Sequence, residues 1–167
     1  MNLNPFTYSS RWLFVLVALA CAALLGTGYV LQYFFGQDPC PLCLVQRGFY
    51  YGVMAASLVG ALHGRAGAAY GALGFLFAVG GAATAGRQVW LQHLPADQVP
   101  ACGPDLFFML ENFPLSRTIG KLFAGSGQCA EVKWRFLELS IAEWSLVWFV
   151  LFGAVALWLF WRSIRTR

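Results

Sequence analysis

The sequence predicts an all-α membrane protein, a four-transmembrane-helix bundle with a long loop between helices 3 and 4. Three observations predict it. Hydrophobic residues make up 59% of the chain and charged residues only 11%, whereas a soluble domain is about a quarter charged. Four apolar segments, near 12–35, 44–62, 68–91 and 142–161, are about as long as the ~20 helical residues needed to cross a hydrocarbon core of roughly 30 Å. The stretch 92–141 holds no such run, and a connection of that length usually marks function or mobility. At 167 residues the chain reads as one integral membrane domain, 1–167, whose core is sealed by lipid instead of water.

The first segment, Trp12–Phe35, is too long for a removed signal peptide. It also lacks a convincing small-residue cleavage pattern before Gly26, so it reads as a retained anchor. The second, Leu44–Leu62, is interrupted by Gln46 and Arg47 near its start, where an arginine can snorkel to the headgroups. In the third, Ala68–Leu91, Gly80, Gly81 and Gly86 make a thin helix. With the Gly60/Gly64 and Gly67/Gly71 pairs, they read as packing positions. The fourth is Ala142–Trp161. Trp90, Trp134, Trp144, Trp158 and Trp161 fall near the predicted interfaces as an aromatic belt.

Lys and Arg in short loops are retained on the cytoplasmic side. Arg11, Arg65, Arg162, Arg165 and Arg167 all fall on one side of the predicted bundle. The other side carries all seven acids, Asp38, Asp97, Asp105, Glu111, Glu131, Glu138 and Glu143, against Arg117, Lys121, Lys133 and Arg135. Both termini are therefore expected in the cytoplasm. The net charge of +4 is mostly a topology signal and gives no support to nucleic-acid binding. No internal repeat, low-complexity tract, P-loop or dinucleotide-binding glycine pattern is present.

This topology puts the loops 36–43 and 92–141 on one non-cytoplasmic face, and with them Cys40, Cys43, Cys102 and Cys129. Disulfides form and persist on such a face. In Pro39-Cys40-Pro41-Leu42-Cys43, Pro41 suits the first position of a helix because its missing N–H is not needed there. Cys40 is then the cap and Cys43 lies in the first turn, at the positive end of the helix dipole. A thiolate is favoured there. A Cys40–Cys43 bridge closes a very short loop and contributes only about 2 kcal/mol in the chain-entropy model. It belongs to the labile kind. A Cys102–Cys129 bridge contributes about 3–4 kcal/mol and reads equally as a structural staple or a redox pair. Pro100–Pro104 and Gly125–Cys129 flank it as segments poor in packing side chains. Between them, Leu106–Leu110 and Ile119, Leu122 and Phe123 make amphipathic pieces suited to lying on the membrane. Cys21, amid Ala and Leu, behaves as a small hydrophobe.

Metal binding is the other standard meaning of Cys-x-x-Cys. Cys102 and Cys129 do not form a second such pair, and neither His63 nor His93 supplies a ligand set. Haem attachment needs His after the second cysteine, where this chain has Leu44. No metal is expected. Arg47 lies four residues after Cys43, on the same helical face. It either snorkels or acts on the Cys43 thiolate or on the carbonyl of an acceptor held between helices.

Cys40-x-x-Cys43-x-x-x-Arg47 at the start of the second span, then Cys102 and Cys129 before the fourth, resembles the disulfide bond formation protein B family. The tract Gly125-Ser-Gly-Gln-Cys129-Ala-Glu131, followed by Trp134 and Phe136-Leu137, is similar to that family's second loop-cysteine region. The resemblance covers most of the chain. It implies a multi-pass protein of the bacterial inner membrane that reoxidises a periplasmic, thioredoxin-fold oxidase of the DsbA type. Electrons would pass to a membrane quinone, ubiquinone or menaquinone. It further implies that Cys102 forms the mixed disulfide with the partner and that Cys129 passes electrons to Cys40/Cys43 through a transient Cys40–Cys129 bridge. Cys43 and Arg47 would then face the quinone. Arg87, Gln88 and Gln92, just before the long loop, receive no role. Two alternatives differ in kind: a vitamin K epoxide reductase-like protein, whose active pair is expected at the last helix, and an inert scaffold stapled by two disulfides.

Overall fold

In a computed structural model, residues 5–63, 67–95, 97–99, 108, 111–114, 116–117, 120, 127–132 and 134–165 are described. Arg65, Cys102, the Pro100–Pro104 flank and nearly all of the two amphipathic pieces lie outside them. The long helices are α1 (Pro5–Phe35), α2 (Pro41–His63), α3 (Gly67–Gln92) and α5 (Ile141–Arg165); a single turn, α4 (Gly127–Ala130), precedes α5. Each long helix holds an apolar stretch of at least 23 residues, or about 35 Å at 1.5 Å per residue. That spans a bilayer core, and the protein is a multi-pass helical membrane protein. The helices overrun the apolar segments at most ends, because once nucleated a helix continues through polar residues such as His63, Gln92 and Arg162.

Outward-facing leucines and aromatics, such as Leu16, Leu19, Leu62 and Leu76, are exposed, as lipid contact requires. The inside is a separate cluster in which Cys21 and Leu25 of α1 meet Tyr50 and Val53 of α2, Ala78 and Ala85 of α3, and Phe149 and Phe152 of α5. Cys21 is wholly buried there as a packing residue. Tyr50 stacks on Phe149 with ring centroids 4.2 Å apart. α3 is the central element, packed on both α2 and α5. Its glycines explain how: a methyl at Gly81 would overlap the Phe149 ring, and one at Gly80 the Phe49 ring. Small residues here admit aromatic rings in place of their own side chains.

Between α4 and α5 the chain makes a two-stranded antiparallel hairpin, β1 (Arg135–Phe136) and β2 (Leu139–Ser140), with Phe136 opposite Leu139. Its two turn residues, Leu137 and Glu138, have φ of 51° and 66°, the left-handed values that a tight two-residue hairpin demands. Ser140 then starts α5 with a reciprocal cap. Its backbone N–H donates to Glu143 Oε2 at 2.6 Å, and the Glu143 N–H donates to Ser140 Oγ at 3.3 Å. The Ser140 hydroxyl also donates to Gln92 Oε1 at 2.8 Å, tying the end of α3 to the start of α5.

Candidate functional site: a thiol cluster at the mouth of the bundle

Pro41 opens α2, and Cys40 caps it. The Cys40 carbonyl accepts the first intrahelical bond from Leu44 N–H at 3.1 Å, and Cys40 Sγ accepts from Cys43 N–H at 3.3 Å. The cap brings the two sulfurs to 2.7 Å of each other. α4 carries the third thiol. Cys129 is wholly buried in a small cluster with Cys40, Leu42 and Leu91, against which Cys43, Leu94 and Ala130 pack. Cys129 and Cys43 both share hydrogen bonds with the Cys40 thiol. With burial added, these hold its proton more tightly than in an ordinary thiol, the Cys129 contact contributing most. Cys40, Cys43 and Cys129 are free thiols in this structure. Cys102, the fourth sequence-predicted cysteine, and with it the expected Cys102–Cys129 pairing, lies outside the described residues.

Two residues without a sequence-assigned role touch the sulfurs or support the one that does. Gln88 of α3 donates from Nε2 to Cys40 Sγ at 3.4 Å and to Cys43 Sγ at 3.3 Å, and Cys43 Sγ–H reaches Gln88 Oε1 at 3.6 Å. Gln46 of α2 donates to Gln88 Oε1 at 2.7 Å. The signal that could have found them is polarity: each is a glutamine in a span, and buried amides in lipid need partners.

Arg47 projects from the same face of α2 but turns to α1. Its Nη1 donates to Gln32 Oε1 at 2.7 Å, its Nη2 donates to the Gly28 carbonyl at 3.1 Å, and its guanidinium lies 4.7 Å from the Tyr29 ring centroid. The contact that sequence spacing offered between Arg47 and Cys43 is taken instead by Gln88.

Cys40, Cys43, Arg47 and Gln88 border one cavity of about 390 Å³, closed on the α1 side by Leu24 and Leu31. That volume is in the range of small-molecule sites. Gln37 also lines the cavity, and its Oε1 is buried without a hydrogen-bond partner. Among the described residues no group of His, Cys, Asp and Glu side chains is arranged to hold a metal ion.

A helical membrane bundle in which three thiols meet beside a cavity lined by Cys40 and Cys43 defines a membrane thiol–disulfide oxidoreductase. The family model described as disulfide bond formation protein DsbB matches residues 10–159. The chain belongs to that family. It is 46% identical to disulfide bond formation protein B of Nitrosococcus oceani, over 90% of each chain. The protein of the same name from Marinobacter nauticus is 46% identical, with 95% of this chain and 96% of that one aligned. That from Chromobacterium violaceum is 44% identical, with 100% and 99% aligned.

Proposed function

We propose that this membrane disulfide-forming protein reoxidises a DsbA-type dithiol oxidase on the periplasmic face of a bacterial inner membrane and hands the electrons to a membrane quinone. The observation that carries the reading is the meeting of Cys129 with the Cys40/Cys43 pair at the mouth of a cavity bordered by Arg47. Thiol exchange needs a sulfur within reach of a sulfur, and this cluster supplies that contact from a loop cysteine to the helix-capping pair.

In this scheme Cys102 takes the partner's thiolate and Cys129 is released to attack Cys40. Cys43 is left nearest the acceptor. Of the two sulfurs of the pair, Cys40 is the one hydrogen-bonded to Cys129, which suits it to be the sulfur attacked. A bound quinone supplies a two-electron acceptor confined to lipid. The cavity fits such a molecule. Leu24 and Leu31 offer an apolar wall, Arg47 has five donors of which two are committed to α1, and the partnerless Gln37 oxygen can accept a hydrogen bond from the hydroxyl that appears on reduction.

Replacing Cys129 with Ala tests the order of transfer. The Cys102 thiolate, left without its bridge, should open the disulfide of the oxidised partner, and the resulting Cys102–partner mixed disulfide should accumulate, read by non-reducing electrophoresis and peptide mapping. An adduct mapping to Cys40 would show that the order is wrong. In the unaltered protein, reduced partner plus quinone should give quinol; reduction of the bridges without quinol formation would remove the quinone from the scheme.

A further inference from the structure

Gln46 and Gln88 are each only 4% exposed, on facing helices within the membrane. An apolar side chain would fill either position at less cost, because each buried amide demands partners. Their partners reveal a direction. Gln46 Nε2 takes the Gln88 oxygen at 2.7 Å, and this fixes which way the Gln88 amide faces. Its N–H hydrogens are left to the sulfurs, at 3.4 Å for Cys40 and 3.3 Å for Cys43.

We infer that Gln88 is a catalytic residue of the thiol relay, stabilising negative charge on Cys43 Sγ when the Cys40–Cys43 bridge opens, and that Gln46 is the positioning residue that aims it. The inference rests on the relay proposed above. In that step the Cys129 thiolate attacks Cys40 Sγ, a Cys129–Cys40 bond forms, and the Cys40–Cys43 bond breaks. Its electron pair leaves on Cys43. One disulfide and one thiolate enter and the same number leave, so no oxidant or proton is needed. The rate of such an exchange depends on how well the leaving sulfur carries its charge. An N–H donor to a thiolate is a charge-assisted hydrogen bond, stronger than the same donor to a neutral thiol. It therefore acts more on the products of the step than on the bridge. A neutral amide also adds no permanent charge to a low-dielectric seam.

The test is alkylation of the fully reduced chain by iodoacetamide at pH 7 in detergent, followed cysteine by cysteine by peptide mass spectrometry. Gln88→Met removes the donor at similar volume and should slow modification of Cys43 by about ten- to a hundredfold, leaving Cys102 unchanged. Gln46→Met should slow it by less, about three- to tenfold, and the double variant should match Gln88→Met alone, because Gln46 acts only through Gln88. Cys21, wholly buried in the other core cluster, reports folding: it stays unmodified in a folded variant. Should Gln88→Met expose Cys21, Gln88→Asn decides, since its amide sits on a stem one carbon shorter and falls short of the sulfurs. A Cys43 rate within about twofold of the parent in either folded variant overturns the inference, as does a double variant slower than both singles combined. Neither partner nor quinone is present in this assay. Failure here leaves the relay standing, and failure of quinol formation in the unaltered protein leaves the amide–sulfur contact standing.

Discussion

Arg47 shows how much a single side chain can change meaning once its neighbours are known. By spacing it belongs with Cys43; in the structure its fork is held by Gln32 and the Gly28 carbonyl of α1, with Tyr29 beneath it. These contacts fix the cation at the wall of the cavity shared with Cys43. A purely snorkelling arginine would extend toward the headgroups instead. If Arg47 hydrogen-bonds an acceptor oxygen in that cavity, Arg47→Ala should lower kcat/KM for quinone by about ten- to a hundredfold, with partner exchange at Cys102 intact. Arg47→Lys should recover only part of the loss, since an ammonium lacks the planar fork. Quinol formation followed by absorbance checks both. Unchanged kinetics in Arg47→Ala would leave Arg47 a structural clasp between α1 and α2.

At the scale of elements, the sulfur cluster depends on three short devices: the Cys40 cap of α2, the α4 turn carrying Cys129, and the hairpin and cap that return the chain to α5. The Ser140 cap is the most consequential of the three for α5, since the same hydroxyl also grips Gln92 at the end of α3. Ser140→Ala should cost about 1 kcal/mol, typical of a lost cap, and should lower the melting temperature of the detergent-solubilised protein. Because α4 packs on α3, the same variant should also slow transfer from Cys129 to Cys40. Glu143→Gln keeps an acceptor for the Ser140 N–H and should cost less. The helices and the Cys40 cap were legible in the sequence, because apolar length and Pro41 act locally. The Ser140-x-x-Glu143 signature is equally local. Gln88 was not legible: its sulfur partners lie 45 and 48 residues away, and a glutamine among apolar residues says that it needs a partner without saying which. The burial of Cys129 beside Cys40 is long-range in the same way.

Over the whole molecule, charge and burial together make a sharper test of orientation than charge alone. With long helices alternating in direction, the start of α1, the end of α2 and the end of α5 share one end of the bundle, and Arg11, Arg162 and Arg165 lie there. At that end Arg162 and Arg165 lie over the rings of Trp158 and Trp161, 4.8 and 5.9 Å from their centroids, the pairing of cation and aromatic ring found at a membrane–water boundary. The thiols sit at the opposite end, with Asp38, Glu131 and Glu138. Labelling intact cells with an impermeant maleimide should therefore modify Cys102 in the reduced protein. Cys129, although on the same side, is fully buried and should react only slowly. A cysteine at position 138, in the exposed hairpin turn, is the better probe of that end. In a background lacking the other outer cysteines, Glu138→Cys should label in intact cells, while Gly64→Cys, beside Arg65, should label only after the membrane is broken. The reverse pattern would move the thiols into a reducing compartment, where the Cys40–Cys43 bridge could not persist and the relay could not run toward oxidation.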